Sequence, residues 1–250
     1  NREPTYTRTI FSWEYPYYMI NQLNQFISGI NGSSTLSDVE KDSFLGQALT
    51  MRAFYYFQLA MEFQHTYSYD LTLSAPPIYS EPAIEGKAMT TLGELYDFIV
   101  ADLNSALETT PTNRTNKSFI NRNVTYAIMA RIQQVMGNWQ EAANAAAIAR
   151  QGYPLSASQY RSGFDDMNAS EWIWAMPQRA DQTNYFYIAP HAFTDNINDG
   201  YGLAFWNKDF VSLFSSTDIR NTFFDLYNVG NGNQYYARTS SKFTFDFSSD

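Results

Sequence analysis

Hydrophobic residues recur every three or four positions through the first two thirds of the chain, a spacing that predicts amphipathic helices. The first predicted helix covers about residues 14–31, and one face of it carries Tyr18, Leu23, Phe26, Ile27 and Ile30. The second covers about residues 38–64, and its core-facing stripe carries Leu45, Leu49, Ala53, Tyr56, Ala60 and Phe63. These stretches predict a series of helix pairs.

Capping residues and prolines mark the helix ends. Ser37 is an N-cap candidate for the second helix, and Thr91 can cap a third, with Glu94 at the capping-box position. Three prolines within residues 76–82 exclude a helix from the long loop that joins the second and third helices. The third helix ends before Pro111, and its apolar positions are Leu92, Leu95, Ile99, Leu103 and Leu107.

A helical hairpin is predicted next along the chain. Its helices cover about residues 123–136 and 139–150, joined by a turn at Gly137-Asn138. The second of them is rich in alanine, which lets neighbouring helices approach closely, as in helical repeats. Trp139 begins this helix and is expected to pack against its neighbour.

The pattern changes after Pro154. Residues 170–178 alternate as a strand would, with Trp172 and Trp174 on one side and expected in the core. A short helix is predicted within residues 208–216 and a strand or hairpin within 234–247. We therefore divide the chain into a helical part, residues 1–155, and an irregular, loop-rich part of the same domain, residues 156–250.

Composition narrows the classes of function. The net charge is −9 and no basic stretch occurs, which argues against a nucleic-acid partner and against charge-based anchoring on anionic lipid. The chain has no cysteine, so disulfides and thiolate metal sites are excluded. Aromatic residues reach 17% while charged residues are only 16%, so amides, hydroxyls and tyrosines must form much of the surface.

Several stretches, in order over about residues 20–220, form a recognisable set. The most specific is GQALTMRAFYYFQLAMEF, residues 46–63, with Arg52, Ala53 and Phe57. The others are PPIYSEP (76–82), TLGELYDFIVADLNSALETTP (91–111), NVTYAIMARIQQVMGNWQEAANAAAIARQGYPL (123–155), EWIWAMPQ (171–178) and STDIR (216–220). Together these stretches resemble sequence blocks of the SusD/RagB glycan-binding lipoproteins of Bacteroidota outer membranes. Gln47 stands where the family usually has Glu, which puts a family ion pair with a neighbouring arginine in question.

The resemblance implies a mainly α fold of TPR-like helix pairs, with an irregular aromatic segment that contains short strands. It implies a non-catalytic, cell-surface glycan-binding protein of the outer membrane, held at its extracellular face by an upstream lipid. It implies nutrient uptake together with a SusC-like TonB-dependent transporter, on which the protein acts as a lid. Family members are about twice this length, so the chain is expected to be an internal portion.

Sugars present flat apolar faces ringed by hydroxyls, so they are held by stacked aromatic rings with amide or carboxylate partners at the rim. Residues 184–206 supply both kinds of group, and two tyrosines follow the second helix. The candidate ligand-binding residues are Tyr67, Tyr69, Asn184, Tyr185, Tyr187, Asp199, Tyr201 and Trp206. Packing in the core is the alternative role for each ring. The rings from Phe54 to Phe63 are expected in the core, with Tyr55 facing outward.

Other chemistry finds less support. A helical-repeat module that binds a protein or peptide is the main alternative. A glycoside hydrolase that uses Asp165 and Asp166 is a weaker alternative, because the side chains of adjacent residues usually point apart, whereas glycoside hydrolysis needs two carboxyl groups at a set distance across the sugar. The segment DNINDG, residues 195–200, could begin a calcium-binding loop. An EF-hand loop that starts at Asp195 would need oxygen ligands at its third and twelfth positions, and these are Ile197 and Trp206, so turns are favoured over calcium there. No cofactor is expected, and calcium in a looser site stays open.

Overall fold

The structure, a computed structural model, describes residues 3–160, 166–176, 205–227 and 236–240. The chain forms two compact units, Asn1–Gln151 and Gly152–Asp250. The first unit contains, in order, α1 (Thr7–Gly32), α2 (Asp38–Phe63), β1 (Ser74–Ala75), β2 (Thr90–Thr91), α3 (Leu92–Thr109), α4 (Arg122–Val135) and α5 (Trp139–Ala149). In the second unit lie α6 (Ala157–Tyr160), α7 (Lys208–Val211), β3 (Phe223–Tyr227) and β4 (Tyr236–Ser240).

The fold is mainly α, as predicted, and α2 is its central helix. It packs against α1 on one side and α3 on the other, while α4 and α5 form the next antiparallel pair. The middle of α2 is buried on almost every side, including Tyr55, Tyr56 and Phe57. Each short strand pair is antiparallel: β1 joins β2 in the first unit, and β3 joins β4 in the second.

The predicted helix boundaries are confirmed where capping residues marked them. The Ser37 hydroxyl accepts a hydrogen bond from the Glu40 backbone N–H, and the Glu40 carboxylate accepts one from the Ser37 N–H. Thr91 and Glu94 form the same reciprocal pair at the start of α3. Hydrogen bonds donated by the hydroxyl and the N–H of Ser37 lower the pKa of Glu40. Those donated by the Thr91 N–H and by the Thr90 and Thr91 hydroxyls lower the pKa of Glu94. Both helices therefore begin where local chemistry satisfies their free N–H groups.

The start of α1 and part of its buried face were predicted wrongly, although Ile30 is buried as expected. The helix begins at Thr7, seven residues earlier than expected, and it contains Pro16. Its buried residues are Pro16, Ile20, Asn24 and Ile30, whereas Tyr18 and Phe26 are exposed. The face was misassigned because a polar residue, Asn24, lies at its centre, where an apolar pattern cannot reveal it.

Tyr55 was predicted to face outward, and this is wrong because α1 packs over it. Only 8% of Tyr55 is exposed, and its ring meets Tyr15 of α1 edge to face at 6.1 Å. Tyr15 lies within the predicted helix, but its contact with α2 arises from tertiary packing, which helical periodicity does not reveal. The other rings from Phe54 to Phe63 are in the core or half-buried, as expected.

The expected packing of Trp139 is also wrong, since 69% of this residue is exposed. Helical side chains tilt towards the helix N-terminus, so a large ring at the first position of α5 extends past the end of the helix pair. The strand expected from residue 170 does not form within residues 170–176, which are irregular, and Trp172 and Trp174 there are half-buried.

A buried ion pair joins the central helices. The Arg52 guanidinium of α2 donates two hydrogen bonds to the Asp102 carboxylate of α3, each 2.7 Å long. Arg52 therefore has an acidic partner, Asp102, although position 47 carries a glutamine where the family usually has Glu. Gln47 accepts a hydrogen bond from the Ile120 N–H. Burial raises the pKa of Asp102, and the Arg52 guanidinium opposes this shift by favouring the charged carboxylate.

We expect Asp102→Ala to destabilise the protein by about 3–5 kcal/mol, because it leaves the Arg52 charge buried without its partner. Asp97→Ala on the exposed side of the same helix is the matched control and should change the free energy of unfolding by less than about 0.5 kcal/mol. Urea denaturation of both variants measures the difference. Equal stabilities would contradict a structural role for the pair.

Gly46 of α2 marks a close approach to the end of α3. A Cβ atom at this position would lie 2.6 Å from the backbone nitrogen of Thr110, whereas one at Gly29 of α1 would meet nothing within 4 Å. Gly46→Ala should therefore destabilise the fold by about 1–3 kcal/mol, because the added methyl group would collide with the backbone of Thr110.

Gly29→Ala is the matched comparison and should stabilise the fold by up to about 1 kcal/mol, because alanine has the higher helix propensity and its methyl group meets no other atom. Thermal and urea unfolding of the two variants test these opposite signs.

None of the helices in the described residues is both long enough and apolar enough to cross a membrane.

Candidate functional site

A polar row along α1 holds the proline-containing loop, residues 76–87. The Tyr17 hydroxyl donates to the Pro77 carbonyl at 2.9 Å, and the Asn21 side-chain oxygen accepts from the Ala83 N–H at 3.1 Å. One turn further on, the Asn24 amide donates to two carbonyl oxygens of the loop, at 2.9 and 3.0 Å. Because residues 17, 21 and 24 share one face of a helix, the loop lies along α1.

Asn24 also links this loop to the buried ion pair. Its side-chain oxygen accepts a hydrogen bond from Arg52 at 2.8 Å, and Arg52 donates another to the Ser80 carbonyl at 3.1 Å. The Tyr56 hydroxyl contacts both the N–H and the carbonyl of Tyr79, at 2.6 and 3.1 Å. The loop backbone is thus fixed by side chains from two helices, although it has little regular secondary structure of its own.

A cavity of about 400 Å³ lies between α1 and this loop. Aromatic rings form much of its wall, and two carboxylates and one side-chain amide also line it. The lining residues are Trp13, Glu14, Tyr17, Tyr18, Ile20 and Asn21 of α1, and Pro77, Tyr79, Ala83, Ile84, Glu85 and Gly86 of the loop. A volume of this size suits a small organic ligand or part of a larger one.

The rings of the cavity are held by contacts with one another. The Tyr17 ring meets the Tyr79 ring at 5.7 Å, almost at right angles, and the Trp13 ring meets Phe63 edge to face at 4.9 Å. The Tyr79 hydroxyl accepts a hydrogen bond from the Lys87 N–H at 2.9 Å. Burial raises the pKa of Tyr17, which keeps its hydroxyl protonated as the donor to the loop. These contacts preorganise the wall before any ligand arrives.

Such a cavity can hold a molecule that has flat apolar faces and hydroxyl groups at its edge. Tyr18 is 62% exposed and offers its ring to solvent at the mouth, while Trp13 and Tyr79 are half-buried. Glu14 and Glu85 can accept hydrogen bonds from hydroxyls, and the Asn21 amide can donate. This combination of rings and rim groups is the one expected for a sugar site.

Two of the predicted ligand residues lie in the loop after α2, and neither lines this cavity. Tyr67 is half-buried, and its ring contacts the ring of Tyr96 in α3, with 4.8 Å between the ring centres. Tyr96 itself is buried, which raises its pKa to about 12. Tyr69 is 67% exposed, and its ring stacks on His65 at 4.6 Å. Tyr67 thus packs on the helical core, whereas Tyr69 presents a flat, accessible surface.

Trp206 belongs to an aromatic cluster in the second unit. Its ring stacks on Phe210 at 5.6 Å and meets Phe223 edge to face at 5.5 Å, and Phe214 also contacts Phe223. Trp206 itself is half-buried, so part of the residue remains accessible. The remaining predicted positions lie outside the described residues: Asn184, Tyr185, Tyr187, Asp199 and Tyr201, as well as the 195–200 segment considered for calcium.

The residues that build the cavity were not among those predicted from the sequence. Trp13, Tyr17 and Tyr18 lie in a helix that was predicted to begin at about residue 14, with Tyr18 on its core face. A usable signal was present, because Tyr17, Asn21 and Asn24 place polar groups on one helical face at spacings of four and three. A polar row in the middle of an amphipathic helix indicates a partner that satisfies it. Among the described residues, no cluster of His, Asp or Glu is arranged to hold a metal ion.

Comparisons with known proteins agree with the fold. Residues 2–133, just over half of the chain, match a SusD-like family described as "Starch-binding associating with outer membrane". The chain therefore belongs to the SusD-like family. No curated protein matches it significantly.

Solved structures extend the similarity over most of the chain. A SusD-like carbohydrate-binding protein from Bacteroides vulgatus has 28% identity and a TM-score of 0.85, covering 94% of this chain and 52% of its own. A SusD superfamily protein from Bacteroides thetaiotaomicron has 29% identity and a TM-score of 0.56, covering 60% of this chain and 35% of its own. The chain thus spans about half, or less, of the length of these relatives.

A laminarin-binding SusD-like protein shares the fold at 19% identity and a TM-score of 0.54, covering 64% of this chain and 36% of its own. At this level of identity the similarity concerns the fold alone, and laminarin is a ligand of that protein.

Asn24→Ala should loosen the loop that forms the cavity wall. The variant loses two donors to loop carbonyls and leaves Arg52 with one acceptor fewer, which should cost about 1–3 kcal/mol of stability. Hydrogen exchange of the backbone amides in residues 78–87 should accelerate more than exchange in α3. Gln25→Ala, at an exposed neighbouring position, is the control. Unchanged exchange in the loop would show that Asn24 does not hold it.

Proposed function

We propose that this protein binds glycans without cleaving them and that the cavity between α1 and the 76–87 loop contacts the sugar. The observation that carries the proposal is the set of preorganised rings, with carboxylates and an amide beside them, in a chain of the SusD-like family. Sugar faces stack on rings, and hydroxyls need acceptors and donors at the rim. The cavity between α1 and the loop offers both.

The role of the whole protein is proposed from its family. We infer that it captures oligo- or polysaccharide at the extracellular face of the outer membrane, held by an upstream lipid. There it would deliver the glycan to a SusC-like TonB-dependent transporter for nutrient uptake. The family description names starch binding and the outer membrane, which supports this setting.

The residues predicted from the sequence fit this proposal as further contacts. Tyr69 is the stronger of the two tyrosines after α2, because its ring is accessible and is braced from one side by His65. Trp206 has an accessible part, and Asn184, Tyr185, Tyr187, Asp199 and Tyr201 remain proposed ligand residues.

A protein- or peptide-binding module is the second candidate. It is favoured by exposed apolar side chains at the N-cap and along the first half of α1, namely Tyr6, Ile10, Phe11, Tyr15 and Tyr18. Exposed patches of this kind often mark interaction surfaces. Phe11→Ser separates the two candidates, because it removes an apolar group that does not line the cavity. Glycan binding should survive this change under the first candidate.

Trp13→Ala and Tyr18→Ala should each weaken glycan binding about tenfold, equivalent to about 1.4 kcal/mol, because each removes a ring from the cavity. Affinity electrophoresis against plant, host and microbial polysaccharides, followed by calorimetry with the best oligosaccharide, measures the effect. Tyr18→Ala is the cleaner variant, since the exposed ring contributes little to the fold.

Trp139→Ala is the matched control, because Trp139 is an exposed tryptophan that does not line the cavity. Its glycan affinity should equal that of the unmodified protein. If both cavity variants bind glycan as tightly as the unmodified protein, the proposal that the cavity beside α1 is the binding site is wrong. Release of reducing ends from any polysaccharide in the panel would overturn the non-catalytic proposal.

A further inference from the structure

The charged groups that line the cavity all have one sign. Glu14 lies on α1 and Glu85 on the opposing loop, so the cavity has a carboxylate on each of its two walls. No lysine or arginine is present among the described residues that line it. The net charge of the chain, −9, adds a negative background.

The nearest cation in the loop is already engaged with the protein. The Lys87 ammonium lies 5.1 Å from the centre of the Tyr79 ring and donates to the Ile78 carbonyl at 3.3 Å. Tyr79 is therefore in contact with a positive charge, but Lys87 itself is not part of the cavity wall. Its interactions with the ring and the carbonyl favour a role in holding the loop over a role in binding an anion.

A ligand that carries carboxylates or sulfates would bring like charges close to Glu14 and Glu85. Repulsion between exposed charges acts over a screening length of about 8 Å at physiological ionic strength, so it reaches across a cavity of this size. An uncharged sugar meets no such penalty, and its hydroxyls can donate to both carboxylates. The two glutamates thus attract hydroxyls and repel anions at once.

We propose that the cavity selects glycans by charge: it accepts uncharged hexose chains and excludes chains that carry uronic acids or sulfate. Glu14 and Glu85 are the residues that determine this specificity. The inference rests on the proposed function, since it names the class of glycan that the same cavity takes.

The test compares glycans that differ only at C6, where one series has a neutral hydroxymethyl group and the other a carboxylate. Malto-, laminari- and cello-oligosaccharides are measured by calorimetry beside the same chains with their C6 hydroxymethyl groups oxidised to carboxylates. At least one uncharged series should bind, and its oxidised form should bind at least tenfold more weakly. Raising the salt concentration should reduce this ratio, because it screens the repulsion.

The double variant Glu14→Gln/Glu85→Gln identifies the cause. It keeps hydrogen-bonding groups at both positions but removes their charge, so the ratio between uncharged and oxidised oligosaccharide should fall at least threefold. Glu108→Gln on the exposed side of α3 removes a charge that does not line the cavity, and it should leave the ratio unchanged.

Each failure has a distinct meaning. An oxidised chain that binds as tightly as its uncharged form overturns the charge selection while glycan binding stands. A ratio that the double variant does not change overturns the assignment to Glu14 and Glu85. Absence of binding to all six oligosaccharides counts against both the proposed glycan-binding function and the inference that rests on it.

Discussion

The buried hydrogen-bonded group of Arg52, Asp102 and Asn24 is the interaction on which the rest of the first unit depends. A guanidinium enclosed among helices must have its donors satisfied, and here one carboxylate, one amide and one loop carbonyl accept from it. This requirement fixes α1, α2 and α3 relative to one another, because each contributes one side chain. It also explains why a polar residue, Asn24, is buried at the centre of an otherwise apolar helix face.

The cavity is a consequence of the same arrangement. Once Arg52 and Asn24 hold the backbone at Tyr79, Ser80 and Glu81, the proline-containing loop cannot lie elsewhere, and its side chains face those of α1. A loop with little secondary structure thereby becomes a rigid wall. Binding to a wall that is already ordered costs less conformational entropy than binding to a free loop. Function here follows from buried polar contacts as much as from the rings that would touch a sugar.

Much of the fold was predictable because its signals are local. Ser37 and Thr91 start their helices through contacts three residues away, and Gly137 and Gly152 end helices with φ angles of 81° and 84° that suit glycine. The candidate site was less predictable. Tyr67 and Tyr69 are equivalent in the sequence, yet the Tyr67 ring packs on Tyr96 and Tyr69 is exposed. The sequence does not separate them, because Tyr96, the residue that covers Tyr67, comes from α3, 29 positions further along the chain.

The sequence by itself determined the helical architecture, the membership of the SusD-like family and an acidic, aromatic-rich chain without cysteine. Tertiary structure alone decided which rings are accessible and which surround a cavity. The hydrogen bonds that shape this cavity join α1 to residues 55 to 62 positions further along the chain. No local periodicity encodes such pairings, because they arise only when separate helices pack and bring their polar groups within reach of the same loop.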